Sequence, residues 1–467
     1  MKRWIVLFLL VGLLYAPHAW AQTPTVVQYL SSGRDNTQVT GANAKTWFPN
    51  KTLSGNCLAI SMEHDSGMTV SAMQTDKGDT LTLGPTVTNN AQTLATYRGI
   101  ATAGSQVITA TTSGGSGTVS FRGVELYNSD CTSDVSNTSA TRSVTLTTTV
   151  SGDYLYHAAV DVTTLTPTIT SMATSSGGTV LSANRSGTFA QYKVTGSSGS
   201  QTTSFTTSDS DTWESTAIAL KPASTGTAPS STGIRVIGLQ GEAFGTTTHT
   251  MQVPCAGNLL VGVWSSAAVT LSALSSSPSN TWSTGQSVTN AGGPDIGQIF
   301  YSSNATCSNT LTLSPTYSGT DTLGFNFLVM VDVTGAATSA HDVDSTTTGT
   351  QNTVGSLVTQ SITPTTSNGL VFNAAIWFSC TVTGASPGIY AGAATNSGNN
   401  NACPAGSGAS TLNEDDGRAL YYNPNTSAVS FTYTNTSNGT TGVGVYASVS
   451  SAFKAALASA TGKGIIF

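Results

Sequence analysis

Residues 257–264 read Gly-Asn-Leu-Leu-Val-Gly-Val-Trp. Apolar side chains dominate from Leu259 to Trp264, a length that suits a strand and falls short of a helix. A Gly-Asn pair, common turn chemistry, precedes the run. A similar stretch lies upstream. Ser54-Gly55-Asn56-Cys57-Leu58 matches Ala256-Gly257-Asn258-Leu259-Leu260 at an offset of 202. Further matches follow in unbroken order: Val70–Met73 with Leu271–Leu274, Gly78–Leu81 with Ser279–Trp282, Ala95–Tyr97 with Ile299–Tyr301 and Val124–Leu126 with Val331–Val333. Asp134-Val135 then pairs with Asp342-Val343, Tyr154–Ala159 with Leu370–Ala375 and Phe205 with Phe431, where the offset has grown to 226. Kept strands and lengthening loops give that drift, so the chain reads as a tandem duplication.

Pro222–Gly233 separates the copies. It holds two prolines and no hydrophobic side chain larger than Ala, and it predicts a flexible-to-extended linker. Residues 22–221 form the expected first β-sandwich copy, 222–233 the linker, 234–454 the second copy and 455–467 a C-terminal tail. Within each copy, runs such as Gly117–Leu126, Ser143–Val150, Asp153–Val162, Gly369–Phe378 and Val429–Thr434 are short and rich in Val, Thr and aromatics, with Gly, Ser, Asn, Asp and Pro clusters between them. Only Ser451–Ala460 hints at a helical period. The expected fold is all-β: two tandem antiparallel sandwiches of jelly-roll type.

Composition narrows the function. Of 467 residues only 8% are charged, with 16 Lys plus Arg against 22 Asp plus Glu. That balance excludes the basic surface a nucleic-acid binder needs. At 38% apolar residues the chain can bury a core. Lys2 and Arg3, the apolar run Ile5–Tyr15 and Ala19-Trp20-Ala21 have the layout of a signal peptide over residues 1–21, with cleavage before Gln22. The apolar run is too short to cross a bilayer, and no later segment is apolar enough to span one. Six cysteines in an exported chain favour disulfides. Pairing is expected inside each copy: Cys57 with Cys131 in the first and, of the three pairings open to the four cysteines of the second, Cys255 with Cys307 and Cys380 with Cys403, each of which flanks neighbouring turns.

The order Gly-Asn-Leu-Leu-Val at 257–261, Asn-Thr-Trp at 280–282, Ile-Phe-Tyr at 299–301, Thr-Leu-Thr-Leu at 310–313, Val-Asp-Val at 331–333 and Asp342 resembles tandem β-sandwich modules of secreted bacterial proteins. The overall shape is similar to concanavalin A-like jelly rolls, which include lectins, glycan-binding modules and glycanases. The resemblance implies fold. No lectin or glycanase signature carries over residue by residue.

Candidate chemistry is sparse. Glu63-His64-Asp65 is a dense polar cluster, but on a strand His64 faces away from Glu63 and Asp65. His157 and Asp161 share a face, yet no Gly-x-Ser-x-Gly elbow supplies a nucleophile. Asp209, Asp211 and Glu214, Asp342 with Asp344, and Glu414-Asp415-Asp416 could offer oxygen ligands to a structural calcium, the one cofactor these residues suggest. Glu125/Asp332 and Asp134/Asp342, present in both copies, suit turn caps. Of the tryptophans, Trp282 and Trp377 read as core. The resulting expectation is a secreted, extracellular or envelope protein without catalytic residues. It would bind or build, on polysaccharide or cell-surface glycan, with self-association, and without nucleic acid or a membrane span. A carbohydrate-active enzyme on a jelly-roll scaffold and an appendage or phage-like structural subunit are the alternatives.

Overall fold

In Cys57–Asp65 every residue but the last is buried, and the same holds without exception for Tyr154–Asp161 and Leu259–Ser266. Strands with one wet face would alternate. These strands are therefore covered on both sides, and the computed structural model shows by what. It describes residues 22–456 apart from 31–36, 40–43, 90–91, 115–116, 163–171, 185–186, 231, 244–249, 267–268, 290–295, 319–325, 351–354, 359–360, 379–381, 387–388, 396–413 and 436–444.

The first sandwich comprises β1 (Thr25–Tyr29), β2 (Thr37–Val39), β3 (Ala44–Trp47), β4 (Cys57–Asp65), β5 (Met68–Thr75), β6 (Thr82–Thr88), β7 (Gln92–Ile100), β8 (Val107–Gly114) and β9 (Gly117–Tyr127). One sheet runs β1-β9-β4-β7-β6, with β2 also on β9, and faces a second, β3-β8-β5. The second sandwich follows with β10 (Ser129–Ser139), β11 (Ser143–Thr148), β12 (Tyr154–Asp161), β13 (Met172–Thr174), β14 (Thr179–Asn184), β15 (Thr188–Val194), β16 (Gly199–Thr207) and β17 (Trp213–Pro222). Its sheets are β10-β17-β12-β15-β14 and β11-β16-β13, the same wiring.

The third sandwich has β18 (Arg235–Ala243), β19 (Met251–Cys255), β20 (Leu259–Ser266), β21 (Thr270–Ser277), β22 (Ser283–Thr289), β23 (Ile296–Ser303), β24 (Asn309–Ser318) and β25 (Asn326–Thr334). The fourth has β26 (Ala336–Thr350), β27 (Gly355–Val358), β28 (Gly369–Phe378), β29 (Val382–Ser386), β30 (Ile389–Thr395), β31 (Glu414–Asn423), β32 (Thr432–Asn435) and β33 (Val445–Ala455). Sheets β18-β25-β20-β23-β22 and β19-β24-β21, then β26-β33-β28-β31-β30 and β27-β32-β29, repeat the order again. In each sandwich the first strand lies beside the last. All the strand pairs are antiparallel, and β14 meets β19 at Ala183 and Gln252, which joins sheets of the second and third sandwiches. The described residues contain no helix, and Ser451–Ala455, where a helical period was expected, belongs to β33.

Each expected copy thus contains two sandwiches of about half its length. The sequence matches fall on equivalent strands of the first and third sandwiches and of the second and fourth, while β2 of the first has no counterpart among the described residues. The larger sheets of each pair lie face to face. Along β4, Leu58, Ile60 and Met62 enter the core of the first sandwich, whereas Cys57 and Ala59 join Tyr154, Tyr156 and Ala158 in a core shared with the second. On β12, Leu155 faces the other way, into the second sandwich. The second pair repeats this. Leu259, Val261 and Val263 pack with Leu370, Phe372 and Ala374, while Leu260 and Trp264 fill the third sandwich. A period of two with apolar groups at odd and even positions therefore yields four stacked layers per pair.

Edge strands carry repeated irregularities. Register shifts fall in β1 between Val26 and Gln28, in β10 between Ser133 and Val135, in β18 between Val236 and Gly238, and in β26 between His341 and Asp344. Such bulges twist an edge and re-aim a side chain. The stretch expected as a flexible linker is tied down. Ala223 donates its N–H to Asn128 O at 2.9 Å and Thr227 to Asn56 Oδ1 at 2.7 Å. Cys57 is bonded to Cys131 and Cys255 to Cys307, with Cα separations of 5.1 and 5.2 Å. Cys380 and Cys403 lie outside the described residues. No described helix is long and apolar enough to cross a membrane.

Candidate functional site

The carboxylates common to both copies close turns before the third strand of the repeating order. Glu125 accepts from Leu53 N–H at 2.8 Å and from Asn56 Nδ2 and Gln28 Nε2 at 2.6 Å each. Asp332 accepts from Ala256 and Gly257 N–H at 2.8 and 2.9 Å. Burial pushes Glu125 upward and Asp332 to about 7, against the pull of these donors. A Cβ on Gly257 would lie 2.2 Å from Val333 O, so only glycine fits that turn. In the even-numbered sandwiches the cap comes from the bulged first strand instead. Asp134 accepts from Thr149 N–H and Oγ1, and Asp342 from Thr365 N–H at 2.8 Å and Thr365 Oγ1.

Carboxylates converge at one end of the second sandwich. Oxygens of Asp161, Asp209 and Asp211 lie within 4.8 Å of one another. Asp209 Oδ1 also accepts from Arg142 Nη2 at 2.6 Å and from Thr207 Oγ1 at 2.8 Å. Arg142 in turn stacks over Trp213, 5.9 Å from its ring centre. The expected calcium set is thereby corrected. Asp209 and Asp211 do meet, but Glu214 follows Trp213 on β17 and points to the opposite face, 3.4 Å from Asn89 Nδ2. The donor atoms are of the kind calcium takes, yet three carboxylates, one of them bound to Arg142, fall short of six to eight oxygens. Asp342 and Asp344 do not converge either. The bulge between His341 and Asp344 separates them, so Asp342 caps Thr365 while Asp344 binds His341 Nε2 at 2.9 Å and Ser451 Oγ at 2.5 Å. The side chains of Glu414, Asp415 and Asp416 lie outside those described.

Glu63 and His64 part as their strand parity requires. Glu63 faces the seam between the first two sandwiches, in a cleft with Ser61, Ser120, Arg122 and Thr188. Arg122 donates to Ser120 Oγ at 2.8 Å and Thr188 Oγ1 at 2.6 Å. The cleft encloses about 10 Å³, far below the roughly 300–1,000 Å³ of small-molecule pockets. His64 donates from Nδ1 to Asp65 O at 2.9 Å, and burial lowers its pKa. His157 is fully buried and does not engage Asp161. It accepts at Nδ1 from Gln191 Nε2 at 2.9 Å, among Phe189 and Phe205. Burial pulls it down to about 3, so the imidazole is neutral.

Trp213 and Trp264 are core residues, and Trp282 packs against the third core with Nε1 donating to Ser276 Oγ at 3.3 Å. The side chain of Trp377 lies outside those described. Sequence reading missed the buried Arg122, the Arg142 contact and the fully buried Asp153. An arginine inside a run of apolar strand residues, Phe121-Arg122-Gly123-Val124, was the available signal for the first. Arg142 and Asp153 lie in turns whose direction no pattern revealed. No protein-family model and no curated protein matches the chain.

Proposed function

We propose that the chain is a secreted, non-enzymatic binding or structural protein of the cell surface or extracellular matrix, contacting polysaccharide through hydroxyl-bearing outer sheet faces. The observation that carries this is the outer face of the second sandwich. There Thr145 and Thr202 oppose each other with hydroxyls 3.0 Å apart, Ser143 pairs with Ser204, and Ser175 and Ser204 hydroxyls lie 2.7 Å apart. Thr109, Thr111 and Ser113 on β8 and Thr312, Ser314 and Thr316 on β24 alternate with buried residues in the same way. Uncharged donors and acceptors in rows suit a hydroxylated polymer, and tandem copies raise avidity without new contacts. First and last strands side by side, over a three-stranded second sheet, support the jelly-roll reading. Two disulfides support an oxidising compartment.

A glycan array with polysaccharide pull-down, together with sedimentation across a concentration series, tests the proposal. Retention on a polysaccharide, or concentration-dependent assembly, supports it. If the protein neither binds a polysaccharide nor assembles, the proposal fails. A second reading, a carbohydrate-active enzyme, rests on the meeting of Asp161, Asp209 and Asp211. Polysaccharide cleavage abolished by Asp161→Asn would favour it.

A further inference from the structure

We propose that Lys221 and Asp134 of the second sandwich condense into an intramolecular amide, with Asp153 as the positioned acid. Lys221 Nζ lies 3.8 Å from Asp134 Oδ1. The two residues belong to β17 and β10, neighbours in one sheet. The bulge between Ser133 and Val135 takes Asp134 out of the ladder. Thr149 N–H and Oγ1 then fix its carboxyl, whose side chain is only 2% exposed. Asp153 is fully buried, and among the described residues its carboxyl has no partner but that of Asp134. Two carboxyls in contact share a proton. Burial and then Asp134 push Asp153 up to about 7, and Lys221 and Asp130 are the other charged groups that face it.

The reaction needs no co-reactant. The Lys221 ammonium gives up a proton to water or to Asp134. Its lone pair then forms the C–N bond at Asp134 Cγ, while Asp153 donates a hydrogen bond to the carboxyl oxygen. The second nitrogen proton and one Asp134 oxygen depart, and the net change is ammonium plus carboxylate giving amide plus water. Lys221 is 39% exposed, so protons and water have an exit. Effective molarities of about 10⁵–10⁸ M for oriented groups offset the preference for hydrolysis in water.

The fourth sandwich supplies an internal control. His341 pairs with Phe453 as Ser133 pairs with Leu220, which places Asp342 and Lys454 in the positions of Asp134 and Lys221. The counterpart of Asp153 is Gly369, where a Cβ would lie 2.4 Å from Phe453 O. The amine and carboxyl are repeated, but the acid is not.

Intact-mass spectrometry of the purified full chain, reduced and alkylated, is decisive. The expected mass is lighter by one water than that of the alkylated linear chain, and proteolysis yields a branched peptide joining Lys221 to Asp134 but none joining Lys454 to Asp342. Asp134→Asn should lose ammonia instead, and Asp153→Asn should remain unlinked. If Asp153→Asn does not fold, Lys221→Arg, which cannot form this amide, must restore the full mass. A full wild-type mass, with Lys221 in a linear peptide and the Cys57–Cys131 bond intact in a parallel unreduced sample, overturns the proposal. Complete linkage in Asp153→Asn overturns the role of the acid.

Discussion

His157 and Asn373 occupy one position in the second and fourth sandwiches and solve the same problem with different neighbours. Across from His157 stand Gln191 on β15 and Ala217 on β17. Across from Asn373 stand Ala419 on β31 and Ser450 on β33. The ring draws its hydrogen bond from Gln191 and finds room over Ala217. The amide donates to Ser448 Oγ at 3.0 Å and Ser450 Oγ at 2.7 Å. The partner has moved from one flanking strand to the other while the backbone stayed put. One position along, Tyr156 and Phe372 fill the shared cores of the two pairs. Only Tyr156 carries a hydroxyl, bonded to Ser61 at 2.8 Å and to Arg122 O at 3.1 Å. A buried polar group inside these sheets is thus negotiable, provided its partners change with it.

Four changes break or sharpen the comparison. Phe372→Ala should destabilise the fold by about 3–5 kcal/mol through the cavity it leaves, read as a lower urea midpoint. A loss below about 1 kcal/mol would mean the two large sheets do not share a core. His157→Asn alone should cost about 2–3 kcal/mol, from lost volume and the Gln191 N–H that loses its imidazole acceptor while the bond to Ser204 O remains. Adding Gln191→Ala and Ala217→Ser, the fourth sandwich's solution, should recover at least half. If the triple variant is no better than the single, the positions are not interchangeable.

Acid sensitivity separates the two solutions next. The unfolded chain protonates His157 below its ordinary range, while the folded protein resists down to about 3. Stability is therefore lost as pH falls between those limits, by roughly 1.4 kcal/mol per pH unit. Asn373 does not titrate, so the triple variant should show a shallower acid limb in unfolding midpoints between about pH 4 and 6. An unchanged limb would assign that sensitivity elsewhere. The smallest effect is expected from Asp342→Ala, about 1–2 kcal/mol for a lost turn cap, with heat denaturation as the measure.

The strands and their order were legible in the sequence because runs such as Asn258–Trp264 are short, β-branched and bounded by turns. The matches at offsets 202–226 also fell on equivalent strands. The half-length repeat was not legible. The first and second sandwiches share wiring, but Glu125 caps from the last strand and Asp134 from the first, so no residue pattern repeats between them. Strands buried on both faces were visible as apolar runs, yet nothing in Cys57–Asp65 says that its second face meets another sheet. Adjacent acids misled for a geometric reason. Glu214 points away from Asp209 and Asp211, Asp342 and Asp344 are split by a bulge, and the carboxyl that completes the Asp209–Asp211 group comes from Asp161, 48 positions before Asp209.

The Cys57–Cys131 bond has a mechanical meaning. It closes 74 residues of chain into a loop, which fully drawn out would measure about 250 Å. A load applied at the two ends of the protein bypasses that loop through sulfur, so the first sandwich cannot unspool between β4 and β10 however hard the chain is stretched. Under a reducing agent that reserve of length becomes available, and a surface tether built from this protein would turn from stiff to extensible.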